Sequence, residues 1–273
     1  MTSLIVLYLS SNQLSESISD SIRQLSKLES IDFSYNQFSG SIPNSIGQLP
    51  KLESIYLFDN QLRSIPDNIG QLLKLESIDL SDNQLRSIPD SIRQLPKLES
   101  MDLSWNQLRS ILDSIGQLLK LESIYLSNNR LRSIPDSIGQ LPKLESIDLS
   151  NNQLRSIPDS IGQLPKLKSR DLFDNQLRSI LDSIRQLSKL ERLYLFNNQF
   201  SGSIPDSIGK LSKLKSIDLT DNQLNGSIPD SIGQLLKLES NGSILDSIGK
   251  LSKLKSIDLS NNQLNGSIPD SIG

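Results

Sequence analysis

The chain contains neither cysteine nor histidine. Those two absences exclude disulfide stapling, thiolate nucleophiles, Cys/His zinc sites and every Ser-His-Asp or Cys-His arrangement. Aromatic residues make up only 4% of the sequence, with a single tryptophan. No apolar run approaches the ~20 residues that span a bilayer, and Gly-rich phosphate loops and HRD or DFG segments are missing. A large excess of one charge is missing too: 28 Lys+Arg against 31 Asp+Glu leave a net charge of -3. Chains that hold nucleic acid through its phosphates carry a concentrated positive excess, so the balance argues against that partner. No metal or cofactor is expected. The opening MTSLIVLYLSS is apolar, but it lacks a basic n-region and a small-residue cleavage site. Leu4, Leu7, Leu9, Asn12 and Leu14 already follow the register of the later chain, which makes this stretch a first strand rather than a leader.

What the sequence has in abundance is itself. The segment LPKLESIDLSNNQLRSIPDSIGQ, Leu141 to Gln163, recurs in edited copies from end to end. Copies begin at Leu4, Leu28, Leu52, Leu75, Leu98, Leu121, Leu144, Leu167, Leu190, Leu214, Leu238 and Leu254, spaced 23 or 24 residues apart until the last step of sixteen. Within a copy, Leu144, Ile147 and Leu149 alternate with polar residues, the period of a short half-buried strand. An asparagine follows at Asn12, Asn36, Asn60, Asn83, Asn106, Asn129, Asn152, Asn175, Asn198, Asn222 and Asn262. Its amide both donates and accepts, so stacked turns form a hydrogen-bonded ladder. In the rest of the copy, Pro158 is placed to open a short helical or 3₁₀ return and Gly162 to stop it.

This pattern, LxxLxLxxNxL followed by SIPDSIGQL, resembles the leucine-rich repeat family. The 24-residue copies with Gly40, Gly202, Gly226 and Gly266 are similar to the plant type, with Glu16 replacing the glycine in the first copy. The 23-residue copies with Arg63, Arg86, Arg109, Arg132, Arg155 and Arg178 are nearer the intracellular Ras-group-related form. The resemblance implies an α/β solenoid, a right-handed arc or horseshoe with a parallel sheet on the concave face and short helical segments outside. One domain of about twelve repeats is expected over residues 1–273, with the eleventh (237–252) truncated and no obvious caps. Arg170 occupies an inward strand position, where it is expected to snorkel outward or distort the sheet.

An outward column reads Tyr8, Asp32, Tyr56, Asp79, Asp102, Tyr125, Asp148, Asp171, Tyr194, Asp218 and Asp258, beside a second column rich in glutamate. The resulting acidic surface is either solvated repeat or a site for a basic partner. It offers no distinct acid and base environments of the kind glycosidases use, and no clustered oxygen loop for calcium. The scarce aromatics break the copied pattern: Tyr56 with Phe58, Trp105 with Tyr125, and Phe173 with Tyr194 and Phe196. Exposed aromatics among charges are typical interface anchors. From the third strand to the ninth the row spans about 29 Å, which suits a peptide or a protein edge.

The arginine column is read as offsetting neighbouring carboxylates, and the Asn-Gly-Ser sequons at Asn225, Asn241 and Asn265 as incidental to the repeat. The functional expectation is therefore a non-catalytic protein or peptide recognition module, receptor-like or adaptor, using the concave residues named above. The alternative is a structural repeat protein that binds a wall polymer or ice, or self-associates through uncapped ends. A chain without leader or cysteine fits the cytoplasm, and a fragment of a receptor-like protein would be extracellular.

Overall fold

A computed structural model describes residues 3–179, 186–236 and 254–272. Eleven three-residue strands, from Val6–Tyr8 to Ser256–Asp258, form one parallel sheet in sequence order. Among the described residues each coil supplies one strand, and the returns are 3₁₀ turns except for the α-helical turn Ile232–Leu236, the right-handed arrangement of a solenoid. The sheet lines the concave face and the turns lie outside.

The alternation seen in the sequence sets what each coil buries. In the seventh coil Leu144, Ile147, Leu149, Leu154, Ile157, Ile161 and Leu164 are all buried. Each contributes about 1.5–3 kcal/mol, but only because the coils on either side close over it. The interior is therefore one continuous core running the length of the array.

Pro158 opens the turn, its carbonyl accepting the Ile161 amide at 3.1 Å, but the glycine does different work from that expected. Pro158 is the extended N-cap of the turn Asp159–Gln163, at φ -68 and ψ 146, rather than its first residue. Leu112 takes the same conformation in the fifth coil, so the position does not require proline. Glycine lies inside the turn instead of stopping it. A Cβ on Gly139 would meet the Ser160 carbonyl oxygen of the next turn at 2.3 Å, so glycine lets successive turns stack closely. Arg93 occupies the equivalent position and turns back onto Asp90 of its own turn, Nε–Oδ2 3.3 Å.

The two repeat lengths differ in backbone. Gly40, Gly202, Gly226 and Gly266 all have positive φ, and Glu16 takes that conformation at φ 71. Around these residues two small parallel sheets form, Ser15–Glu16, Gln37–Ser41 and Gln61–Ser64 near one end, and Ser201–Gly202, Gln223–Gly226 and Gln263–Leu264 near the other. The 23-residue coils between them dispense with the extra residue. A single backbone bond per coil joins them here, such as Gln107 N to Leu85 O at 2.8 Å.

Arg170 corrects the sequence reading. It is 3% exposed and pairs in unbroken register with Ile147 on one side and Leu193 on the other. A three-residue strand clamped by two neighbours leaves the side chain no route around the sheet, so it neither snorkels nor breaks the ladder. The truncated eleventh repeat, 237–252, lies outside the described residues. The strands around it pair directly, Ile217 with Ile257 and Asp218 with Asp258, so the sheet gains no strand between them.

Candidate functional site

The polar column forms as a consequence of register. Tyr56 pairs with Asp79, Asp79 with Asp102, Asp102 with Tyr125, Tyr125 with Asp148, Asp148 with Asp171 and Asp171 with Tyr194. All are partly exposed on the inner face. The carboxylates are held by their own strands: Asp79 Oδ1 accepts from the Ser81 amide at 2.9 Å and hydroxyl at 2.7 Å, and Asp148 accepts from Ser150 at the same distances. Asp102 accepts from the Ser104 amide at 2.9 Å. At Asp171 the residue two places on is Phe173 instead of serine, and the inner carboxylate oxygen has no hydrogen-bond partner.

Burial shows in the acidities. Desolvation pushes Asp102 above the ordinary carboxylate range, against hydrogen bonds from Ser104, with Asp79 and Asp148 adding repulsion. Asp171 rises further, to about 6, through burial and the Asp148 charge, with Arg192 opposing. Side-by-side carboxylates with no internal cation between them repel each other, and burial sharpens that repulsion.

The aromatics lie along the column and at the strand ends. Residues two apart in a strand share a face, so Phe58, Phe173 and Phe196 flank the column on the same side. Phe173 and Phe196 stack with centroids 4.4 Å apart and planes 7° from parallel. Trp105, 60% exposed, makes no ring contact with Tyr125, and Tyr194 makes none with Phe173. One member went unnoticed in the sequence. Tyr35, 53% exposed, meets Phe58 edge-on with centroids 4.9 Å apart.

Tyr35 and Trp105 occupy equivalent positions, immediately before the ladder asparagines, with φ 52 and 55. The left-handed conformation suits Asn and Asp, which fill most of the equivalent positions here, among them Asp59, Asn128 and Asn151. A bulky ring there costs on the order of 1–2 kcal/mol. Rings held out to solvent at a conformational cost point to use.

The geometry matches a known family on its sequence as well. A model described as leucine-rich repeat region matches residues 106–265, and one described as leucine rich repeat matches 2–62 and 50–108. The chain belongs to the leucine-rich repeat family. No curated protein matches it by sequence. Among solved structures, this leucine-rich repeat solenoid is similar to PEPR1 in its structure with AtPEP1, at 33% identity and TM-score 0.80, over 99% of this chain and 40% of that one. It is similar to the Arabidopsis receptor kinase HAESA, solved with the peptide hormone IDA and the co-receptor SERK1, at 30% identity and TM-score 0.72, over 99% and 52%. A plant ice-binding protein is similar at 27% identity and TM-score 0.72, over 97% and 82%. The chain thus spans about half or less of the two receptor chains.

In this leucine-rich repeat surface the glutamates are met by lysines. Lys97 pairs with Glu76 at 3.7 Å, Lys143 with Glu122 at 3.8 Å and Lys168 with Glu145 at 2.6 Å. Arg63, Arg86, Arg109, Arg132, Arg155 and Arg178 form no ion pair among the described residues. Among the described residues, no group of three acidic side chains is placed to hold a metal ion, and no helix is long and apolar enough to cross a membrane.

Proposed function

We propose that this chain is a non-catalytic recognition module that binds a protein or peptide on its concave face. The observation that carries the proposal is the exposure of Trp105 and Tyr35 from left-handed backbone positions where Asp or Asn is the unstrained choice. The acidic column, the stacked Phe173 and Phe196, and the similarity to a receptor kinase solved with a peptide hormone support it. The test is a pull-down from source extract followed by affinity measurement on the captured partner. Trp105→Ala with Tyr194→Ala is expected to weaken binding at least tenfold, about 1.4 kcal/mol, a modest value for two interface anchors. Equal affinity of the double variant, or a larger loss on changing the convex Asp159, would place the site elsewhere.

A second reading, binding to an ordered surface such as ice, draws on the similarity to the plant ice-binding protein. It also draws on the serines Ser30, Ser54, Ser77, Ser100, Ser123, Ser146 and Ser169, which the register sets in a row about 4.8 Å apart. The flanking charged columns make that face a poor match to a neutral solid, which keeps this reading second. It predicts inhibition of ice recrystallisation that is lost on Ser100→Lys with Ser123→Lys. An inactive parent protein would end it.

A further inference from the structure

The column has a second period, longer than the repeat. Tyrosine stands on every third strand, at Tyr56, Tyr125 and Tyr194, and each gap holds two aspartates in register, Asp79 with Asp102 and Asp148 with Asp171. The face is therefore two equivalent boxes, each a carboxylate pair walled by tyrosines. Their centres are three strands apart, about 14 Å at the usual spacing.

We infer that the concave face reads an extended basic peptide, taking two cationic side chains four residues apart, one in each box. This rests on the recognition reading above and specifies the partner. A tyrosine ring beside a carboxylate pair suits an ammonium or guanidinium, attracted by both charge and ring face. A bare divalent cation would need more oxygen ligands than two carboxylates provide.

The spacing selects the backbone. A strand advances about 3.3–3.4 Å per residue, so residues i and i+4 lie roughly 13–14 Å apart with side chains on the same face. An α-helix covers 14 Å in between nine and ten residues, which face the opposite or a lateral side. A polyproline helix, at about 3.1 Å per residue and three residues per turn, brings a side chain back to the face at about 9 or 19 Å. Only the extended chain fits both distance and direction.

The boxes are desolvated rather than merely acidic. Burial and mutual repulsion raise one carboxylate in each pair, Asp102 and Asp171. The inner oxygen of Asp171 lacks a partner, and Oδ2 of Asp79, Asp102 and Asp148 receives no hydrogen bond from the described residues. Glu76 and Glu99 accompany the first box. Lys97 pairs with Glu76 there at 3.7 Å; beside the second stand Glu145, paired more closely with Lys168 at 2.6 Å, and Arg192.

The experiment uses three fluorescently labelled peptides of one composition, with Thr/Val spacers and two lysines at i,i+2, i,i+4 or i,i+6. Binding to the full chain is followed by anisotropy at fixed salt. The i,i+4 peptide is expected to bind at least tenfold more tightly than the others, because only it engages both boxes at once. Asp102→Asn with Asp148→Asn should reduce that preference to within twofold, and Asp159→Asn on the convex side should leave it unchanged. Equal affinities that all weaken in the double variant would overturn the spacing while retaining concave recognition of basic chains. Affinities indifferent to the double variant would overturn the boxes and concave recognition of basic chains. Absence of binding by all three would overturn the present inference alone, since the Trp105 and Tyr194 variant tests the broader reading on its own partner.

Discussion

Replacing Arg170 by isoleucine raises the stability of the solenoid by an expected 2–4 kcal/mol, about the upper range for exchanging a buried ionic group for a well-packed apolar one. The side chain is buried between Ile147 and Leu193, in the layer the other coils fill with Ile, Leu or Met. Its Nε has no hydrogen-bond partner. Burial alone pushes the guanidinium down to about 10, with no neighbouring charge acting in its favour. For a base whose folded pKa is lowered, the penalty is present in full at every pH below that value. It therefore applies across the physiological range. The gain should appear as a higher urea midpoint at unchanged slope. Because repeat arrays open in parts, slower hydrogen exchange at the Ser169–Asp171 strand is the local readout. Arg170→Met keeps the long apolar stem and removes the charge. It should share most of the gain, which separates charge from shape. A variant no more stable than the parent would mean that the guanidinium is satisfied in solution.

Arg170 also marks the limit of what the sequence discloses. Register, ladder and polar column follow from a period, and a period is visible in letters. A strand position read as inward stays inward once both neighbours are in place, so the side chain's length could not rescue its charge. The expectation of snorkelling treated the strand as if it were an edge. The role of Gly162 was misassigned for a related reason. Gly139 shows that the constraint on glycine comes from the next coil 2.3 Å away, a contact that one copy of the motif does not contain. The site divides in the same way. Membership of the column was legible for Tyr56, Asp79, Asp102, Tyr125, Asp148, Asp171 and Tyr194. The stacking of Phe173 on Phe196 and the edge contact of Tyr35 with Phe58 depend on side-chain direction. Tyr35 had a signal nonetheless, since it precedes its ladder asparagine as Trp105 does.

Removing one ladder asparagine from the middle of the array costs about 2–4 kcal/mol, several times the loss at its end. Asn129 Nδ2 donates to the carbonyls of Leu103 at 2.9 Å, Leu126 at 3.1 Å and Ser127 at 3.2 Å, and its Oδ1 accepts the Leu108 amide at 2.9 Å. All four bonds are buried, and the two with Leu103 and Leu108 tie the fifth coil to the sixth. In Asn129→Ala the buried Leu108 amide loses its acceptor, which costs roughly 1–3 kcal/mol, while the carbonyls of Leu103, Leu126 and Ser127 keep a second donor from Asn106, Asn152 and the Trp105 amide. Asn12 donates only to its own turn, to Leu9 and Ser10 at 3.1 Å, and is exposed. Asn12→Ala should therefore cost under ~1 kcal/mol, within the range of surface changes. Asn129→Asp sharpens the test, because it sets a carboxylate oxygen against carbonyl oxygens while keeping the shape. It should destabilise at least as much as alanine at neutral pH and partly recover in acid, as the carboxyl regains a proton to donate. Denaturation midpoints of the three variants decide the matter. Equal losses at positions 12 and 129 would show that each asparagine shapes only its own turn. A steep difference between them would show that the ladder works as a chain of bonds between coils, whose interior links have two neighbours to hold and whose terminal link has one.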